Sequence, residues 1–350
     1  MALVEARIDS PSAVADRVVS PKLASAVSVK NVLLATDFSA CSEAALPHAT
    51  AICRHFGSML HMAHILSDTS LLIASGGIDY VSMGTIYEDA HTEAKEKLDE
   101  IANRFEGFPH RNYVRHGMVW KNLAAIIEEN EVDLIVVGTH GRTGLGKLLL
   151  GSVAENILRH APCPVLTVGP KVSGRAKLPS FPQRGRDLAP VELELQQIVF
   201  ATNFTDDAPR MAKQAVALAE EFRSRLTMMH VLEDYTQLGT KPGPIEEGVQ
   251  KLKELLPSDA ALQYAPEMLL EFGNAAERIL KAASDREADM IVVGARSSSD
   301  IATTHLPWSA THQVIAHAHC PVLTIREIKG IRELARERSW PMRRQTMERH

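Results

Sequence analysis

Apolar residues in this chain come in two recurring formats. Short unbroken runs at Asn31-Val-Leu-Leu-Ala35, Met59 to Leu66 and Leu134-Ile-Val-Val137 read as strands buried on both faces. From Ser42 onward, Ala45, Ala49, Ile52, Cys53 and Phe56 recur at three- and four-residue spacing, which predicts an amphipathic helix closed by Gly57. A long connection containing Gly76-Gly77 leads to a charged helix over Thr85 to Arg104. A strand at Asn112 to His116 and a helix at Lys121 to Glu129 come next. The strand opening at Asp133, a helix at Ser152 to His160 and a strand at Pro164 to Val168 complete the unit. Strands alternating with helices predict an α/β fold with a parallel, doubly wound sheet.

The pattern then repeats. Phe200-Ala-Thr-Asn-Phe-Thr205 restates Leu34-Ala-Thr-Asp-Phe-Ser39, and Leu226 to Leu232 restates Leu60 to Leu66. Asp289 to Gly294 restates Asp133 to Gly138, and Cys320 to Ile325 restates Cys163 to Val168. Matches in the same order mark an internal duplication. The expected organisation is a mobile leader at 1–27, a first domain at 28–170 and a linker at 171–194 rich in Pro, Gly, Lys and Arg. A second domain at 195–327 and a charged tail at 328–350 follow.

The 350 residues suffice for two cores, and 45% hydrophobic with 23% charged residues is ordinary for a globular protein. The net charge of −5 argues against a dedicated nucleic-acid binder. No apolar run is long enough to span a membrane, and the acidic N-terminal stretch is no secretory signal, so the expected location is cytoplasmic. Cys41, Cys53, Cys163 and Cys320 form no C-x-x-C pair.

The chemistry concentrates in Val136 to Val153, VVGTHGRTGLGKLLLGSV. A glycine-rich loop that leaves a strand and ends at a helix N-terminus offers backbone N–H groups and the positive end of a helix dipole to a phosphate. Gly141 to Lys147 imitates a P-loop, but Leu148 stands where the Mg²⁺-binding hydroxyl would be. The alternative is that the glycines only make a tight turn. The wider spacing, Gly138, Gly141, then Gly151-Ser152 (G-x2-G-x9-G-S), resembles the nucleotide-binding motif of the universal stress protein family, in its ATP-binding branch. The resemblance covers both copies.

That resemblance implies two tandem five-stranded sheets of order 3-2-1-4-5, Rossmann-like, paired with each other through their last strands. It implies ATP or ADP as ligand, with Mg²⁺ as a companion ion. Asp37 and Ile65 would line the adenine and ribose end, with Val137 and Gly138 close by. Gly141, Gly151, Ser152 and Val153 would hold the phosphates, and Ala35, Thr36 and Arg142 are further expected nucleotide-binding residues. Whole chains pairing as homodimers and an unidentified regulatory protein partner are further expectations, with no membrane and no nucleic-acid partner. Asp37 has a second reading, as a turn or capping residue ahead of the helix.

Copy two departs from the pattern. Asp37 becomes Asn203, Gly141 becomes Ser297, and the Gly151-Ser152 region becomes Pro307-Trp308-Ser309. Proline removes a donor and tryptophan crowds a phosphate, so the expectation is one competent site, in copy one. His305, His312, His317, His319 and Cys320 cluster without metal-ligand spacing. His64 and His230 occupy equivalent strand positions, which points to packing. The tail from Arg326 interleaves Arg and Glu and reads as a solvated helix. The favoured function is a nucleotide-dependent regulator in a stress response. One alternative is a slow ATP hydrolase or nucleotidyl transferase with copy two as a lid, although no dedicated base or arginine finger is evident. Another is a nucleotide-free interaction scaffold. Fold analogy alone does not decide among these.

Overall fold

The structure, a computed structural model, describes residues 5–6, 27–67, 80–104, 109–139, 150–172, 194–233, 243–295 and 309–326. Copy one contributes β2 (Asn31–Ala35), α1 (Ala40–Phe56), β3 (Met59–Leu66), α2 (Tyr80–Ala102) and β4 (His110–His116), then α3 (Val119–Glu129), β5 (Leu134–Gly138), α4 (Ser152–His160) and β6 (Val165–Val168). Copy two repeats the series as β7 (Gln197–Ala201), α5 (Ala208–Glu221), β8 (Arg225–Leu232), α6 (Pro244–Glu254) and β9 (Glu267–Phe272), then α7 (Ala275–Asp285), β10 (Met290–Ala295), α8 (Ala310–His317) and β11 (Val322–Arg326). A short strand, β1 (Glu5–Ala6), lies in the stretch expected to be a mobile leader; it pairs antiparallel with β9.

Each copy has the order 3-2-1-4-5, as β4-β3-β2-β5-β6 and β9-β8-β7-β10-β11, with parallel pairing throughout. The copies are not separate sheets. β6 and β11 pair antiparallel, which makes one sheet of 11 strands, β1 included. In that pairing Leu166 faces Leu323, its own equivalent in the repeat, while Val165 faces Thr324 and Thr167 faces Val322. A local two-fold therefore passes between the two leucines. The symmetry is imperfect: Thr167 Oγ1 donates to the Val322 carbonyl at 3.0 Å, whereas the buried Thr324 hydroxyl oxygen has no partner.

Alternating strand residues feed two cores, one on each face. Val32, Leu34, Val136 and Leu166 pack with α1, α2, α5 and α6. Leu33, Ile135 and Val165 pack with α3, α4, α7 and α8. Val172 is buried in the first core, so copy one extends two residues into the stretch expected to be linker. At the two-fold, the C-terminal ends of α1 and α5 meet. Phe56 and Phe222, again equivalents, contact edge to face with centroids 6.1 Å apart, and His55 Nε2 lies 2.9 Å from Glu221 Oε1.

The same ties recur in each copy. The Asp133 carboxylate accepts from the N–H groups of Lys30 and Asn31 at 2.7 and 2.9 Å, and Asp289 does so for Gln196 and Gln197 at 2.7 and 3.0 Å. Each joins the first strand to the loop before the fourth. Ser58 and Ser224 likewise donate to the Val29 and Leu195 carbonyls.

Helix α1 is buried on nearly its whole circumference between Ala45 and Cys53. His48, within that stretch, is 6% exposed, and burial pushes its imidazole down to about 4. Between that value and the unperturbed ~6.5 the unfolded chain binds a proton that the folded chain does not. The His48 contribution is thus complete above about pH 6.5 and is lost as pH falls toward 4, by ~3 kcal/mol over the whole window. Urea unfolding at about pH 7 and about pH 4.5 is expected to show this loss, and His48→Gln is expected to make the pH dependence shallower.

Candidate functional site

Strand order reverses between β2 and β5, which pair in register from Val32 with Leu134 to Ala35 with Val137. Their carboxyl ends open side by side, the place where open α/β sheets bind ligands. Ala35 and Val137 belong to the core on the α3 and α4 side, and Ile65 packs against it, so these three predicted residues share one face. Thr36 and Asp37 continue from β2. The Asp37 Oδ1 accepts from the Ser39 N–H at 3.0 Å, and Ser39 caps α1 by accepting from the Ser42 N–H at 3.3 Å. The turn role weighed for Asp37 is therefore real, and the capping role belongs to Ser39.

Thr36 Oγ1 accepts from the Phe38 N–H at 3.0 Å and donates to Ser42 Oγ at 3.1 Å. Phe38 has φ 61, left-handed and unfavourable for a bulky residue, and its ring lies 4.5 Å from that of His64. His64 Nδ1 is 2.8 Å from the Thr36 carbonyl oxygen. Copy two has the same arrangement: Phe204 at φ 57, its ring 4.3 Å from His230, and His230 Nδ1 2.7 Å from the Thr202 oxygen. Burial lowers the His230 pKa despite that hydrogen bond. The presence of this constellation in both copies identifies it as part of the fold.

Gly138 serves a purpose that spacing did not reveal. A Cβ there would stand 2.6 Å from the carbonyl carbon and oxygen of Cys41, because the first turn of α1 lies directly on the end of β5. In copy two the helix begins at Ala208, the equivalent of Ser42. A Cβ on Gly294 would meet the side chain of Met211, at 2.7 Å from its Sδ.

Beyond Gly138, Thr139 is fully buried. Its N–H donates to the Val168 carbonyl at 3.1 Å and its carbonyl accepts from the Gly151 N–H at 2.8 Å. The two ends of the intervening loop are thereby clasped together. Gly141 and Arg142 lie outside the described residues. Thr139 was not marked by the motif; the only signal was its difference from Ala295 in copy two.

Gly151 is the N-cap of α4, and with no side chain it caps nothing. Ser152 and Val153 are exposed, Val153 at 37%. First-turn N–H groups have no intrahelical acceptor, so α4 presents donors and dipole at the crevice end. In α8 the N-cap is Ser309, which matches Ser152 in the repeat, and it closes the helix start: its Oγ accepts from the His312 N–H at 3.3 Å and lies 3.0 Å from His312 Nδ1. Ser297, Pro307 and Trp308 lie outside the described residues.

A cleft of about 1150 Å³ lies elsewhere, at the amino ends of β7, β8 and β10. Gly138, Gly151 and the open N-terminus of α4 lie at the crevice and not at this cleft. Among the described residues no group of three or more His, Cys, Asp or Glu could hold a metal, and no helix is long and apolar enough to cross a membrane. Burial pushes the Cys163 and Cys320 thiols up to about 12, which disfavours the thiolate.

Residues 28–169 and 194–326 each match the model of the universal stress protein family. A universal stress protein of Methanocaldococcus jannaschii is 31% identical over 160 residues, covering 42% of this chain and 99% of the relative. Universal stress protein A homolog 1 of Coxiella burnetii is 32% identical over 140 residues, covering 40% and 95%. The crystal structure of a universal stress protein from Archaeoglobus fulgidus superposes with a TM-score of 0.63 at 21% identity, covering 86% of this chain and 98% of that one, a likeness of fold.

The two equivalent glycines give a paired test. Gly138→Ala is expected to cost about 2–3 kcal/mol in urea unfolding, since helix backbone must shift to admit the methyl group. Gly294→Ala is expected to cost less than about 1 kcal/mol, since a methionine side chain adapts.

Proposed function

We propose that this chain, which belongs to the universal stress protein family, binds one adenine nucleotide, ATP or ADP, in the crevice of copy one and acts as a nucleotide-dependent regulator. The observation that carries the reading is the contrast between the two helix N-termini: α4 is left uncapped by Gly151, and α8 is capped by Ser309. An uncapped N-terminus beside the carboxyl ends of β2 and β5 suits a phosphate chain. A carboxylate at Asp37 suits ribose hydroxyls, and Asn203 in copy two lacks that charge.

In this reading Ala35, Thr36, Asp37, Ile65 and Val137 serve the nucleoside end. Gly141, Arg142, Gly151, Ser152 and Val153 serve the phosphates, and Gly138 seats α1 so that both groups face one crevice. Mg²⁺ would be held through the phosphates and water, since the described residues supply no carboxylate cluster. Occupancy would alter the surface between Gly138 and Gly151, and a partner that reads that surface would sense the nucleotide.

Denaturing the purified protein and quantifying released nucleotide tests this directly. The expected result is close to one ATP or ADP per chain, lost in Gly141→Val and retained in Ser297→Val. Two per chain would overturn the assignment of copy two. If none is released and calorimetry shows no ATP binding at about millimolar concentration, the regulator reading fails and the scaffold remains. Multiple turnover abolished by Asp37→Ala would make the protein an enzyme instead.

A further inference from the structure

The cleft of about 1150 Å³ lies at the joint between the copies. Arg54 and His55 reach it from the C-terminal end of α1, and Arg223, Arg225 and Tyr264 reach it from copy two. The volume is of the order that small-molecule sites occupy, ~300–1,000 Å³. Leu280, Ala283, Ile291 and Cys320 supply an apolar floor.

The duplication provides a control for this end of the molecule. Where copy two has Arg223, Arg225, Arg286 and His319, copy one has Gly57, Met59, Asn130 and Pro162. Arg223 keeps the left-handed backbone of its glycine counterpart, φ 51 against φ 70 for Gly57, so an arginine stands where the local conformation favours glycine. The Arg225 guanidinium lies 5.5 Å from the centroid of Tyr264, which is 42% exposed.

Acids line the cleft as well, and several are engaged. Glu221 pairs with His55, and Asp289 accepts from two backbone N–H groups. Arg286 is held by Glu267 at 2.7 Å through both Nε and Nη2. Glu287 has a counterpart in Glu131 of copy one, so the lining acids peculiar to copy two are Glu194 and Glu221, the latter engaged by His55, against Arg223, Arg225 and Arg286.

We infer that this cleft is a second ligand site, distinct from the nucleotide crevice, for a small organic anion with an aromatic or aliphatic body. The acidic group faces Arg223 and Arg225, and the body lies over Tyr264 and the apolar floor. Because residues of both copies line the cleft, the ligand bridges the joint.

The test titrates the full chain with 8-anilinonaphthalene-1-sulfonate, an aromatic anion whose fluorescence rises on binding. The variant R223G/R225M restores the residues of copy one and relieves the strained backbone, so it is expected to fold with an undiminished urea midpoint. Saturable binding of one probe per chain is expected, at least tenfold weaker in R223G/R225M. The uncharged analogue N-phenyl-1-naphthylamine is expected to bind both proteins alike. Equal affinity of the sulfonate for the parent chain and R223G/R225M would overturn the inference. So would the absence of binding to the parent chain, or equal weakening of the uncharged analogue.

Discussion

The antiparallel pairing of β6 with β11 is the contact on which the rest of the architecture depends. Each of these strands would otherwise be the last in its sheet, with apolar residues on both faces and a row of unpaired backbone groups along one edge. Placing Leu166 against Leu323 satisfies both strands at once and makes the two hydrophobic cores continuous across the seam. It also fixes the relation between the copies. An antiparallel pairing of equivalents imposes a local two-fold, and that two-fold brings Phe56 to Phe222 and His55 to Glu221. The cleft at the joint follows from the same constraint.

Two copies of one design in a single chain separate what the fold needs from what a site needs. The aspartate ties at Asp133 and Asp289, the serine ties at Ser58 and Ser224, and the Phe–His–carbonyl stack occur in both copies. The backbone seat of α1 on Gly138 and the uncapped α4 occur in one. Gly138 shows how the categories overlap, since its missing Cβ is required by helix packing before any ligand is considered.

Most of the fold was legible in the sequence because doubly buried strands and amphipathic helices carry strong periodic signals. β2, β3 and α4 begin and end where the residues indicated, and the repeat made the second domain readable from the first. Boundaries moved where local hydrogen bonds decide them. Helix α1 starts at Ala40, two residues before the periodic signal, because Ser39 supplies its cap. β1 could not be read, since two residues carry no period. At the crevice, the motif and its family resemblance pointed to Ala35, Asp37, Ile65, Val137 and Gly151, which lie at or next to the carboxyl ends of β2, β3 and β5 and at the start of α4. The closure through Thr139 was not, because it is made by backbone groups that any residue could offer.

The seam has one more consequence, for how the assembly responds to its surroundings. Interfaces between free subunits weaken on dilution and exchange partners when related chains are present. Here both halves belong to one polypeptide, so the effective concentration of each for the other is set by chain length and not by the amount of protein in the cell. The half with Gly151 at its helix start is always matched to the half with Ser309 there. An unequal pair is inherited as a unit, and its composition is immune to expression level.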